Sequence, residues 1–335
     1  MKKILILAVA AVVALAGCSK NTLDPSAKKQ INFSAVAGMT TKAPLTGTTY
    51  GTDAPDFGMF AYALTSGTWA ANSSALTAYM DNVKIVYNST DKIWEPDGTS
   101  YYWPLSGTLT FIGYSPYMST GVSYAPATKA LTFTDFVQPA DSASQKDLMY
   151  AETAADKTDN EGVYSAGGGS EKGVNIVFHH ALSQVCFAIK KANALTDYTV
   201  TVKSLSFNAY SKGTLVVTAD TPDWGTVNAE NLTYNVKGTD QAATTSYVDY
   251  GGRHMIIPQT LTAGQQKFSI TYSLAKGGID LGQKTVSVDL RTADLTAWAN
   301  NTKYTYNIEI DLNKIYFNPS MVDWVNGTAQ NINVH

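Results

Sequence analysis

The chain has little cysteine and little charge. Of its 335 residues only Cys18 and Cys186 are cysteines. If Cys18 is used elsewhere, no intramolecular disulfide can form. Cys186 lies in the apolar run QVCFAIK, with no basic neighbour in sequence to activate it, and reads as a buried, inert thiol. Lysine and arginine number 24 against 27 aspartate and glutamate, a formal net charge of −3. That balance excludes a nucleic-acid footprint and a polybasic membrane patch. Catalytic signatures are missing too: there is no GxSxG, HExxH, CxxC, phosphate loop or GxGxxG. Of the four histidines, His179 and His180 would face opposite sides of a strand and cannot form one two-ligand clamp. His254 and His335 stand alone in sequence. A structural role is expected for all four, with no catalytic residue, no metal and no cofactor. Helical periodicity is scarce, and TADLTAWAN, residues 292–300, is the best short candidate for a helix.

The N-terminus carries its own signal. MKK is a positive start, and ILILAVAAVVALAG is an apolar run too short for a spanning helix. It ends in LAGC, with small residues before Cys18. This is the pattern of a lipoprotein signal peptide over residues 1–17, with Cys18 as the lipidated residue. Several acyl chains anchor stably where one would not, since each buried CH₂ contributes about 0.8 kcal/mol. The polar stretch SKNTLDPSAKKQ then reads as a tether over residues 18–29. The expected place is a membrane surface, held by lipid.

The rest of the chain is dominated by strand signals. KYTYNIEIDL alternates Tyr304, Tyr306, Ile308, Ile310 and Leu312 with Thr305, Asn307, Glu309 and Asp311, the period of a sheet with one wet side. KIVYN, GTLTFIGYSP, VNIVFHHALSQVCFAIK, YTVTVKSLSFNAY, KFSITYSLA and QKTVSVDL are similar. Turn signals recur every ten or so residues, so the fold class is all-β, built as antiparallel β-sandwiches. KTDNEGVYSAGGGSEKG, residues 157–173, is polar and glycine-rich and reads as a loop or linker. It divides the mature chain into an N-terminal domain, 30–165, and a C-terminal domain, 166–335. One aromatic group is ambiguous: Trp94, Tyr101, Tyr102 and Trp103 in WEPDGTSYYWP either fill a sandwich core or stack on sugar rings.

Several words follow the LAGC start in order: TKAPLTG, FGMFAYAL, YYWPLSGTLTFIGYSP, DLMYA, FHHALSQVCFAI, MIIPQTL and AWANNTKYTYNIEIDLNKIYFNPSMVDW. In this order the chain resembles the fimbrillin family, the lipoprotein subunits of type V pili, over nearly all of its mature length. The resemblance implies two tandem transthyretin-like sandwich domains. It also implies trimming by a trypsin-like protease in the loop after the first strand, loss of that strand, and filling of its groove by a strand of the next subunit. On this sequence the first strand is QINFSAVAG, residues 30–38, with Ile31, Phe33 and Ala35 on the face that would sit in the groove. The trimming loop is 39–48, and the bond is Lys42–Ala43, where family members usually carry arginine. Asn300-Asn301 stands where they often carry glycine; asparagine tolerates positive φ.

The C-terminal MVDWVNGTAQNINV contains Asn326-Gly327, a strong hairpin signal. The strand after it, with Ile332 and Val334 on one face, is either the donor to a neighbour's groove or a hairpin completing this subunit. The expected partners are other pilin subunits, the processing protease, the outer membrane through the lipid, and a host glycan or protein. A monomeric surface glycan-binding lipoprotein, using Trp94 and Trp103, is the alternative.

Overall fold

The computed structural model describes residues 30–37, 50, 54–91, 93–104, 107–151, 154–155, 173–237, 239–312, 315–323 and 330–331. The first strands are β1 Phe33–Ala37, β2 Phe57–Leu64, β3 Ala78–Asn88, β4 Ile93–Pro96 and β5 Thr108–Ser115. Then come β6 Val122–Ala125, β7 Ala130–Val137, β8 Met149–Ala151, β9 Ala154–Ala155 and β10 Val174–His180. They are followed by β11 Ser183–Lys191, β12 Tyr198–Thr218, β13 Thr221–Asp223, β14 Ala229–Lys237, β15 Gln241–Ala242, β16 Val248–Ile256 and β17 Gln259–Thr260. The last are β18 Lys267–Lys276, β19 Ile279–Asp289, β20 Ala297–Trp298, β21 Thr302–Ile310, β22 Ile315–Asp323 and β23 Gln330–Asn331. Among the described residues the one α-helix is the single turn α1, Trp69–Asn72. The chain is all-β, as its alternation predicts.

In the first sheet the strand order is β2-β3-β4-β1-β10-β8-β5, with β9 beside β5, and β5 pairs back onto β2. The pairings therefore close into a ring, and closure removes exposed sheet edges. Inside the ring lies one core that includes Phe33, Phe57, Trp94, Phe111 and Phe178. The outer faces of β2 and β5 are covered as well. Phe60, Tyr62, Ile112 and Tyr114 pack with Leu131, Phe133, Leu215, Trp224 and Met255 in a second core. Burial on both sides explains why FGMFAYAL has no alternation. A third core fills the space between the later sheets, from Val185, Phe187 and Phe207 to Tyr306 and Ile308.

β11 runs between β16 and β21, and β21 pairs with β22. The long strand β12 joins β18 and β19 to β7 and β6 in one sheet, so strands on both sides of the expected division at 165/166 pair with each other. β10, also beyond that division, pairs with β1.

Two expectations need correction. The sheets are not purely antiparallel: β1 with β10 and β11 with β21 run parallel. Each pair is separated by a long crossover, which parallel strands require. The TADLTAWAN segment is not a helix. Thr292 Oγ1 accepts from Leu295 N at 2.9 Å, making a side-chain turn. Ala297 and Trp298 then pair with Thr260 and Gln259. The buried Trp298 indole donates to Tyr306 Oη at 3.0 Å, and this tertiary anchor outweighs weak helical periodicity.

Candidate functional site: the first strand and its groove

β1 is the stave that closes the ring between β4 and β10. Its alternation decides its orientation. Ile31, Phe33 and Ala35 point inward, at 0, 2 and 7% exposure. The Phe33 ring meets Phe57 and Phe111 edge-on, with centroids 6.0 and 5.6 Å away. Along one side β1 pairs with β10 through its whole length, from Phe33↔Val174 to Ala37↔Phe178. Gly173, just before β10, is pressed against this strand. A Cβ there would lie 2.7 Å from the Asn32 carbonyl oxygen, so glycine is required for the approach.

The other side of β1 is held much less. β4 contributes the single pair Phe33↔Trp94. An isolated bridge joins Gln30 to Tyr102, and Ile31 N donates to Tyr101 O at 2.8 Å. Tyr79 fixes that flanking segment: its hydroxyl donates to Tyr102 O at 2.6 Å and accepts from Tyr102 N at 3.2 Å.

Tyr50 closes the far end, and sequence reasoning missed it. Its N–H donates to Ala35 O at 3.1 Å. Its ring packs 5.0 Å from both Trp94 and Phe178. Its hydroxyl donates to Pro55 O at 2.9 Å and contacts Ser115 Oγ, while Trp94 Nε1 donates to Tyr50 O at 3.1 Å. Burial pushes the Tyr50 phenol well above its ordinary pKa. A signal existed in the sequence: Tyr50 is the only aromatic between Phe33 and Phe57. Tyr50, the first described residue after the segment that carries Lys42 and Ala43, is thus fastened to β1 through Ala35. Lys42, Ala43 and Cys18 themselves lie outside the described residues.

At the other terminus, β22 pairs with β21 from Thr302↔Asp323 to Ile310↔Ile315. β23 adds only Ser320↔Asn331 and Met321↔Gln330, within the same chain. Ile332 and Val334 lie outside the described residues.

The remaining sequence candidates have structural places. Trp94 and Trp103 are 3 and 7% exposed and belong to the ring's core. They offer no face to a sugar, so the glycan-binding alternative loses the residues it was built on. The buried Cys186 thiol is pushed up to about 11 by desolvation. His180 and Asp147 form a buried contact, Nδ1 to Oδ1, at 2.9 Å. His179, on the opposite face of β10, stacks obliquely on Tyr150 at 5.7 Å. His254 is fully buried, and neither ring nitrogen has a hydrogen-bond partner. His335 lies outside the described residues. Among the described residues no group of histidine, cysteine or carboxylate side chains could hold a metal ion. Asn301 adopts φ of 52° and donates its N–H to Leu182 O at 2.9 Å, as the Asn-Asn turn predicts.

An all-β chain whose first strand is buried as one stave of a closed ring is the class of protein that this fold defines. The fimbrillin-like family model matches residues 40–324, and the chain belongs to that family. The fimbrium subunit Fim1C of Phocaeicola vulgatus is similar at 26% identity, over 98% of both chains. A crystal structure of a fimbrial protein from Bacteroides vulgatus superimposes with a TM-score of 0.63 at 20% identity, covering 88% of this chain and 99% of that one, and shares the fold. The family is one of structural fimbrial subunits, and the chain is not an enzyme.

Proposed function

We propose that this chain is a lipid-anchored precursor of a fimbrial subunit whose first strand is removed by proteolysis and replaced by a strand of the next subunit. A fimbrium is a cell-surface appendage, so the subunit's partners are other fimbrial components. The observation that carries this reading is the placement of β1. It closes the ring, it is paired along its full length on one side only, and the chain that follows it returns to it at Tyr50, whose N–H donates to Ala35 O.

The energetics favour a triggered exchange. Burying Ile31 and Phe33 contributes about 1.5–3 kcal/mol each, so about 3–6 kcal/mol together. Each ladder hydrogen bond adds about 1 kcal/mol. The covalent tether through residues 38–49 also keeps the strand at high effective concentration. An uncut strand therefore seldom leaves. A cut at Lys42–Ala43 removes the tether and lets a second strand compete. Loss of β1 would open a slot about 10 Å wide, two strand spacings, between β4 and β10. Its walls would be unpaired strand edges and its floor the aromatic core, a template for strand addition. The C-terminal residues 328–334 are the donor in this reading. Lysine in place of arginine offers the protease a point charge where a planar fork is usual, which slows an arginine-specific enzyme.

Tandem sandwich domains over 30–165 and 166–335 remain part of the proposal, with β10 completing the first.

Limited trypsin digestion of the unlipidated precursor tests the mechanism, read by N-terminal sequencing and sizing. The expected products are a chain starting at Ala43 and multimers that form only after the cut. A trimmed protein that stays monomeric would sink the exchange mechanism.

A further inference from the structure

The strand β12 pairs with strands from both halves of the chain, and its edge changes partner midway. β14 pairs with one edge from Leu205 to Lys212. The other edge is taken by β18 as far as Phe207 and by β7 from Lys212 onward. Between them lies a gap at residues 208–211, where among the described residues no strand pairs on that edge. An unpaired buried backbone there would be costly.

The gap is filled by side-chain amides. Gln259 is 5% exposed, and its Oε1 accepts from Tyr210 N at 2.9 Å. Its Nε2 donates to Tyr210 O at 3.0 Å and to Ile257 O at 2.8 Å. A primary amide carries the same donor and acceptor as a peptide unit, so it can take the place of one strand residue. Beside it, Gln138 N continues the β7 ladder by donating to Ser211 O at 2.8 Å. The fully buried Gln138 side chain donates to Lys146 O at 3.0 Å and accepts from Lys146 N at 3.3 Å. Gln145 accepts from Met255 N at 2.8 Å and donates to Pro139 O at 3.0 Å. Gln138 and Gln145 each bond one backbone N–H and one backbone carbonyl, and Gln259 bonds one N–H and two carbonyls.

We propose that Gln259 is a splice: its amide joins the β18 and β7 ladders along β12, so that the first and last parts of the chain unfold as one unit and tension passes through β12 without a weak joint. Gln138 and Gln145 brace the splice from the β7 side. This goes beyond strand exchange and does not depend on it, because the uncut precursor contains every residue involved.

The test is calorimetric unfolding of the full unlipidated precursor, with amide hydrogen exchange over residues 208–211. Wild type is expected to unfold in a single transition. Gln259→Met keeps the side-chain volume and removes all three bonds. It is expected to split the transition in two and to speed exchange at Tyr210 at least tenfold, with strands outside the junction still protected. A single transition with unchanged protection would overturn the proposal. If that variant does not fold, Gln259→Glu is decisive. Burial favours the protonated carboxyl, which can donate to Tyr210 O and accept from Tyr210 N but has no second proton for Ile257 O, whereas a carboxylate cannot donate at all. That variant is expected to resemble wild type at pH 5 and to show two transitions at pH 8. The same thermogram at both pH values would reject the splice.

Discussion

His254 is a neutral histidine enclosed by aromatic rings. Phe207 and Tyr234 lie 5.3 and 6.3 Å from its ring, and no polar group compensates a charge there. Desolvation lowers its pKa from 6.5 to about 4. The unfolded chain takes up the proton near pH 6.5 and the folded chain only near pH 4. Acidification through that window therefore drains stability, by about 3 kcal/mol in total. Urea melts at pH 7 and pH 4 should show this loss in wild type and a smaller loss in His254→Phe. Equal losses would mean that other groups govern the acid response. Cys186 gives a second prediction at this scale. With its thiol near pKa 11, about one part in a thousand is thiolate at pH 8, against about a quarter for a free cysteine. In a protein lacking Cys18, iodoacetamide should label Cys186 more than 100-fold more slowly when folded than in urea. The QVCFAIK run foretold that inertness; nothing local foretold the solitary burial of His254, because its neighbours come from β12 and β14.

At the scale of elements, β1 is the part on which the proposed strand exchange turns. Phe33→Ala leaves a hole facing Phe57 and Phe111 and is expected to cost about 3–5 kcal/mol. Thermal melts of the uncut precursor would measure it. Gly173→Ala acts on the same strand from outside, since the added methyl meets the Asn32 carbonyl oxygen at 2.7 Å. Overpacking of this kind costs about 1–3 kcal/mol. It should raise the rate at which residues 33–37 exchange their amide hydrogens, and an unchanged rate would mean that β10 simply shifts aside. The alternation of QINFSAVAG showed which face of β1 is buried. The importance of Gly173 was hidden, because that residue ends a polar, glycine-rich stretch that reads as linker. TADLTAWAN misled for a related reason: its Trp298 answers to Tyr306 and the third core, and the local period carries no trace of that contact.

Across the whole molecule, the C-terminal segment offers a separation of fold from assembly. β23 adds two residue pairs to β22 and nothing more among the described residues. Deleting residues 328–335 should leave the melting temperature within a few degrees of wild type. The trimmed protein should then fail to polymerise, as sizing would show. Polymers of undiminished length would reject this segment as the donor strand.

What the sequence determined by itself was local: a signal-like N-terminus ending in Cys18, the alternation that makes each strand, and the inward face of β1. These follow from a few adjacent residues, because side-chain period and turn chemistry are properties of short segments. Tertiary structure decided the partners. That Phe33 pairs with Val174, that Tyr50 closes the groove, and that Gln259 meets Tyr210 all depend on register between segments far apart in the chain. The alternation of one segment says which face will be buried, but only the packing of the whole chain determines which other strand it meets.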